Sequence, residues 1–200
     1  MTQDRDALRR QLRQRRRDIA APERIAAAER LAGQLAALPL LPERGHVAGY
    51  WAMQGEIGLH AWQVRLPPSL TYCLPVLHAD EVLRFAPWKA GEALVLNRYG
   101  IPEPDVDPEH ALPASAMALV AMPLVGFDDR GHRLGMGGGW YDRTFAFRRA
   151  QAAPPWLVGV GFALQQVATL ENQPWDVPLD AACTEQATLL FSPPAAGNPA

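Results

Sequence analysis

Five consecutive residues, Gly135-Met136-Gly137-Gly138-Gly139, carry the clearest chemical signal in this 200-residue chain. Lacking Cβ atoms, glycines let several backbone N–H groups converge on one anion. Before them runs the apolar segment Met117–Met122, long enough for a buried strand, and then the polar turn Asp128-Asp129-Arg130-Gly131. After them, Trp140 to Phe147 has apolar residues at helical spacing. Strand, glycine loop and helix in that order form an anion site, to which a helix N-terminus adds the positive end of its dipole. Arg133 just before the loop offers a guanidinium for phosphate oxygens, and Asp142 just after it offers a carboxylate for a divalent cation. No Gly-Lys-Ser/Thr follows, so this is not a Walker loop, and Trp140 stands where the third glycine of a dinucleotide fingerprint belongs. Taken alone, a glycine cluster is more often a structural turn than a binding site.

Other residues invite chemistry with less specificity. The segment from Asp4 to Ile19 reads as a helix with Leu8, Leu12 and Ile19 on one side. Arg5, Arg9, Arg10, Arg13, Arg15, Arg16 and Arg17 crowd its other sides, either as a solvated face or as a phosphate-binding strip. Glu56 follows the strand expected over His46–Met53, after the break at Gln54-Gly55. An acid at a strand's carboxyl end is where α/β proteins place ligand-binding groups, although such a residue also commonly starts a helix. His78 reads as a loop histidine. Cys73 and Cys183 have no metal-ligand spacing and apolar neighbours, which makes them buried free thiols.

The elements that must hold these groups alternate. Pro22 starts a second helix carrying Ile25, Ala28, Leu31, Leu35 and Leu38. Strands are expected over Thr71–Leu77, over Val82–Trp88 paired to it, and over Trp156–Phe162. Pro75 places the first of these near an edge, or ends it there. Gly159 and Gly161 leave room for a ligand or a neighbouring element. Leu96–Pro104 reads as a Gly/Pro loop and 105–116 as an irregular connector. This alternation predicts an α/β sandwich with a largely parallel sheet. The length suits one domain over residues 1–191, with a flexible tail from 192 to 200. A net charge of −2 and a pI near 6.2 argue against a nucleic-acid partner. No 18-residue apolar run or signal-like N-terminus is present, so a soluble cytoplasmic protein without membrane contact is expected.

The string from Arg133 to Arg143, Arg-Leu-Gly-Met-Gly-Gly-Gly-Trp-Tyr-Asp-Arg, closely resembles the signature of the 5-formyltetrahydrofolate cyclo-ligase family, also called methenyltetrahydrofolate synthetases. The likeness runs in order from Arg5 to Thr184. Arg5-Asp6-Ala7-Leu8-Arg9 is similar to the family's basic-x-x-Leu-Arg pattern at ATP, with Arg5 where lysine is frequent. Trp51 and Glu56 occupy its folate-binding positions, the carboxylate suiting pterin N–H donors and the indole a stacking face. Gly58-Leu59 replaces a polar helix-capping pair that the family commonly has. Tyr99, before Ile101-Pro102-Glu103-Pro104, matches an aromatic that lies against the pterin. Trp175 to Asp180 with Thr184 resembles the closing segment, where the acid at Asp176 is linked to metal.

The resemblance implies a three-layer α/β/α sandwich like that of the ribose-phosphate isomerase and CoA-transferase group. It also implies ATP- and Mg²⁺-dependent cyclisation of 5-formyltetrahydrofolate to 5,10-methenyltetrahydrofolate, with ADP and phosphate released. ATP would then be held by Arg5, Arg9, Arg133, Leu134, Gly135, Met136, Gly137, Gly138, Gly139, Trp140 and Tyr141. Folate would be held by Trp51, Glu56, Tyr99 and Trp140, and Mg²⁺ by Asp142 and Asp176. Only small-molecule partners and a monomeric protein are expected.

Overall fold

Strands that are apolar on both sides need cover on both faces, and the chain supplies it in layers. The computed structural model describes residues 4–191, and the tail expected from 192 onward lies outside them. In chain order the described elements are α1 (Arg5–Arg17), α2 (Ala21–Ala36), β1 (Gly45–Ala48), α3 (His60–Gln63), β2 (Leu70–Leu77), β3 (Leu83–Pro87), β4 (Leu94–Leu96) and β5 (Pro102–Pro104). Then follow β6 (Met117–Pro123), β7 (Gly126–Phe127), β8 (Arg133–Leu134), α4 (Trp140–Thr144), β9 (Trp156–Val160), β10 (Ala181–Cys183) and β11 (Thr188–Leu190). Seven strands form one sheet in the order β11-β10-β9-β6-β1-β2-β3. Its inner five are parallel, as the alternation of elements predicts, while β11 and β3 close the edges antiparallel.

The period of two along β6 assigns the layers. Leu119 and Ala121 pack with Leu31, Leu35 and Trp62 of α2 and α3. Val120 and Met122 face the other way, against Leu124, Phe127, Phe145, Val177 and Leu179. That second cover is mostly hairpin and loop. The helix expected from Trp140 to Phe147 ends at Thr144 and passes into a 3₁₀ turn over Ala146–Arg149. Thr144 Oγ1 donates back to Trp140 O and accepts from Leu83 N, which docks the helix end on the sheet edge while Phe145 turns inward.

Other local expectations shift for identifiable reasons. The strand expected to Met53 stops at Ala48, with one further ladder bond from Gly49 N to Cys73 O, and the Tyr72 ring lies so near Gly49 that a Cβ there would sit 2.0 Å from its hydroxyl oxygen. As Pro75 suggests, β2 lies near an edge, next to the edge strand β3, and beyond Cys73 it has no ladder with β1. On its other side Pro75 faces Phe85, whose N–H and C=O both bond Leu112, so the missing proline N–H leaves nothing unpaired. Leu96–Pro104 is not a plain loop: β4 and β5 form a hairpin whose tip is folded by Asn97 Oδ1, which accepts from Tyr99 N and Ile101 N. Gly159 and Gly161 are approached by Leu124, Leu179 and Gln165, so a neighbouring element fills the space beside them. Both cysteines are buried and free.

Chain order places β2 on one side of β1 and β6 on the other, which makes the carboxyl ends of β1 and β6 a topological switch point, where open α/β sheets bind ligands. Helix α1 crosses there, inserting Leu12 among Val125, Leu134 and Leu170. Gly126 permits the approach, since a Cβ would come within 2.7 Å of Leu12 Cδ1.

The turn between β7 and β8 is pinned by Asp128, a fully buried carboxylate that accepts from the N–H groups of Arg130, His132 and Leu170 and pairs with the His132 ring. Burial pushes this carboxyl up, but the Leu170 and His132 groups and Arg130 N–H together hold it below the usual carboxylate range. Its folded value is therefore lower than its unfolded one. The stabilisation it gives is complete above about pH 4 and is lost as pH falls through the folded value. Asp128→Asn is expected to lower unfolding free energy by about 1–3 kcal/mol at neutral pH. In urea titrations the gap from the unmodified protein should narrow on acidification.

Candidate active site

Strand β8 delivers the chain into the glycine loop, where Gly137 and Gly139 take φ of +100° and +68°. The loop's carbonyls are tied back by arginines: Arg9 Nε donates to Gly135 O at 2.9 Å and Arg143 Nη1 to Gly138 O at 2.9 Å. Carbonyl dipoles that would repel an anion are thereby engaged with cations. Arg133 lies against Gly135, is 5 % exposed, and holds Asp142 Oδ1 through Nη2 at 2.5 Å. Its buried Nε finds no partner among the described residues. The helix-dipole contribution expected here is small, because α4 is a single turn of five residues. Positive charge at this site comes from side chains instead. Gly137 to Gly139, Asp142, Arg143 and Trp175 are among the residues lining an open cleft of about 330 Å³.

The two acids expected at a metal are each engaged with an arginine. Asp142 Oδ1 also accepts from Val177 N at 3.2 Å. Asp176, the residue before it, accepts through Oδ2 from Arg5 Nη1 at 2.9 Å and Gln173 N at 3.0 Å. Arg5 and Asp176, assigned separately to phosphate and metal, thus form one ion pair. Each carboxylate makes these bonds through one oxygen and retains a second. Among the described residues, no group of three or more His, Cys, Asp or Glu side chains is arranged to hold a metal by itself.

Glu56 closes a tight turn after β1. Met53 N donates to its Oε2 at 2.9 Å, and Gln54 and Gly55 both take positive φ. Burial pushes the Glu56 carboxyl up, while Met53 N–H, Arg16 and Arg13 pull it back part of the way. Tyr141 lies between this turn and Arg133: burial and the Glu56 charge raise its hydroxyl, its ring stacks on Phe145 at 6.3 Å, and Arg133 lies 5.9 Å from the ring centre. Trp51 is 37 % exposed and meets Trp88 edge-on at 5.8 Å. Tyr99, 56 % exposed at the hairpin tip, meets Trp140 edge-on at 6.1 Å. Arg98 and Arg143 flank the same indole at 5.3 and 5.2 Å.

The structure therefore gathers Arg5, Arg9, Arg133, Gly135–Gly139, Asp142 and Asp176 around one loop, and joins Tyr99 to Trp140. Leu134 departs from that group, its side chain buried with Leu12 and Val125. The arginine strip is not simply a solvated face, since Arg5, Arg9, Arg13 and Arg16 all bond residues far along the chain. Sequence reasoning gave no role of their own to Arg98 and Arg143, and named Arg16 only as one of the arginine strip. For Arg16 the signal was present: it follows Leu12 by four residues and so shares the buried side of α1.

A family model, the 5-formyltetrahydrofolate cyclo-ligase family, matches residues 1–185. The 5-formyltetrahydrofolate cyclo-ligase of Haemophilus influenzae is 34 % identical over 183 residues, covering 89 % of this chain and 96 % of that protein. The cyclo-ligase of Escherichia coli K12 is 34 % identical over 176 residues, covering 86 % and 96 %. Among solved structures, the Aquifex aeolicus 5,10-methenyltetrahydrofolate synthetase shares the fold with a TM-score of 0.80 at 24 % identity, over 97 % of this chain and 96 % of that one. The Mycoplasma pneumoniae 5,10-methenyltetrahydrofolate synthetase follows with a TM-score of 0.67 at 21 % identity, over 92 % and 99 %.

At Gly137 an added Cβ would meet only Arg9, at 3.8 Å, so substitution there tests backbone conformation without a clash. Gly137→Ala is expected to destabilise the fold by about 1–3 kcal/mol in denaturant titration. A variant as stable as the parent would show that the loop conformation is not held as described.

Proposed function

This chain belongs to the 5-formyltetrahydrofolate cyclo-ligase family, and from that premise we propose that it closes 5-formyltetrahydrofolate to 5,10-methenyltetrahydrofolate with ATP and Mg²⁺, releasing ADP and phosphate. The observation that carries the proposal is the convergence of two arginine–aspartate pairs, Arg133–Asp142 and Arg5–Asp176, on the glycine-loop neighbourhood.

Ring closure must expel the oxygen of an N-formyl group, a poor leaving group on a weak electrophile. Phosphorylating that oxygen makes it leave readily, and N10 then attacks the formyl carbon. No protein nucleophile is required, only positioning and neutralisation of the transferring phosphoryl group. The loop amides are free to face phosphates because Arg9 and Arg143 hold the carbonyls of Gly135 and Gly138. Arg133 brings a buried unpaired Nε–H, and Arg5 and Arg9 add charge to the same anion. Asp142 and Asp176 suit Mg²⁺ in donor type, each with a carboxylate oxygen to offer, and the ion would arrive sharing its remaining ligands with the nucleotide and water. When bound, Mg²⁺ neutralises charge on the phosphate oxygens. Trp51, Glu56, Tyr99 and Trp140 would surround the folate, with Tyr141, whose ring lies 5.9 Å from the Arg133 guanidinium, on the nucleotide side. Such an enzyme works as a monomer on small molecules in the cytoplasm. Among the described residues no helix is long and apolar enough to cross a membrane.

Purified protein mixed with 5-formyltetrahydrofolate should develop the methenyl absorbance only when ATP and Mg²⁺ are both present. Asp142→Ala is expected to lose about 10- to 100-fold in turnover at limiting Mg²⁺, in the range seen when metal-site partners are removed. An unchanged Mg²⁺ dependence would contradict the metal assignment. Glu56→Ala should raise the folate KM by about tenfold or more while leaving the ATP KM near its starting value. Equal rises in both constants would contradict a folate role for Glu56.

A further inference from the structure

Among seven arginines on or beside α1, Arg16 alone is buried, with a side-chain exposure of 1 %. Its Nη1 reaches Leu124 O at 3.4 Å and its Nη2 reaches Gln54 O at 3.2 Å. Leu124 follows β6 and Gln54 follows β1, so one guanidinium straddles the switch point of the sheet. Nη1 also lies 3.8 Å from Glu56 Oε1. That distance is too long for a hydrogen bond but short enough for strong attraction in a buried setting. Glu56 Oε2 is taken by Met53 N–H, so Oε1 faces the cation while keeping lone pairs for a guest.

We propose that Arg16 is a positioning residue for the folate half of the reaction: its guanidinium, spanning the Leu124 and Gln54 carbonyls, fixes the turn that aims the Glu56 carboxylate. The inference rests on the assignment of Glu56 to folate made above. Three observations support it. Buried ion pairs are seldom retained for stability, since an apolar pair of similar volume serves as well or better, so this one calls for another reason. Arg16 even leaves its own Nε without a partner among the described residues. Gln54, in turn, sits at φ +51°, uncommon for a non-glycine residue, and is gripped twice from α1: at its carbonyl by Arg16 and at its side chain by Arg13 Nη2 at 2.6 Å. The groups facing Glu56 are Arg13 and Arg16 from α1, Tyr50 from its own segment and Tyr141 from α4. Both tyrosines have hydroxyls pushed up by burial and remain neutral, so the arginines are what oppose the burial effect on the carboxyl.

The test compares Arg16→Gln, Arg16→Lys, Glu56→Gln and the double variant Arg16→Gln/Glu56→Gln by steady-state kinetics across pH. Arg16→Gln is expected to raise the folate KM about tenfold or more, with the ATP KM unchanged. The acid limb of its kcat/KM profile for folate should move to higher pH, because removing a nearby cation raises the carboxyl further. Arg16→Lys keeps the charge but cannot make the same forked contacts, so it should raise the folate KM less and leave the acid limb in place. The double variant should be no worse than Glu56→Gln alone. If Arg16→Gln does not fold, Arg16→Lys carries the test through the same two KM values. A folate KM unchanged by either Arg16 variant, equal rises for both substrates, or additive losses in the double variant would overturn the proposal. A Glu56→Gln enzyme with normal folate KM would instead overturn the assignment of Glu56 itself. Impaired Glu56→Gln beside normal Arg16 variants would defeat only the role given to Arg16.

Discussion

Helix α1 must cross the carboxyl ends of the two central strands, and the rest of the site is arranged around that crossing. Leu12 anchors it among Val125, Leu134 and Leu170, and Gly126 is bare so that the helix can come close. Thirteen residues make a rigid bar of about 20 Å. Its N-terminal turns reach the glycine loop and Asp176 through Arg9 and Arg5, and its later turns reach the Glu56 turn through Arg13 and Arg16. One short helix therefore touches both halves of the proposed site. Neither half is built from a single stretch of sequence.

The electrostatics are local. A chain with net charge −2 has no global field to draw in a triphosphate. At the glycine loop the Gly135 and Gly138 carbonyls are instead paired with Arg9 and Arg143, and Arg133 lies against Gly135. Each of the two proposed metal-linked acids is already held by a cation and a backbone N–H, which fixes the carboxylate's direction before any ligand arrives. On the proposed reading, a nucleotide and its Mg²⁺ meet a site whose side chains are already oriented, and little reorganisation is left for the reacting state.

The parts legible in the sequence were those written in local pattern. The apolar runs of β6 and β9 announce a parallel sheet, Pro22 marks a helix start, and the Gly135–Gly139 string stands out beside Trp140-Tyr141-Asp142. The parts that stayed hidden depend on partners far along the chain. Position 49 must be glycine because a tyrosine ring from β2 lies against it, a contact that local pattern does not show. The β4–β5 hairpin is masked by prolines that ordinarily signal loop, and they are tolerated in a two-stranded ribbon with an unpaired edge. Arg5 meets Asp176 across 171 residues, which no spacing rule anticipates. Arg16 was lost among its neighbours because composition made the whole run look solvated, although its phase relative to Leu12 pointed inward.

The most direct measurement follows the oxygen. 5-Formyltetrahydrofolate carrying ¹⁸O in its formyl group, turned over by the purified protein with unlabelled ATP and Mg²⁺, yields phosphate that mass spectrometry can read. Phosphoryl transfer to the formyl oxygen beside the glycine loop requires the label to appear in the released phosphate, at one ¹⁸O per methenyl product formed. Unlabelled phosphate with the ¹⁸O released into water, or ring closure without nucleotide consumption, would contradict it.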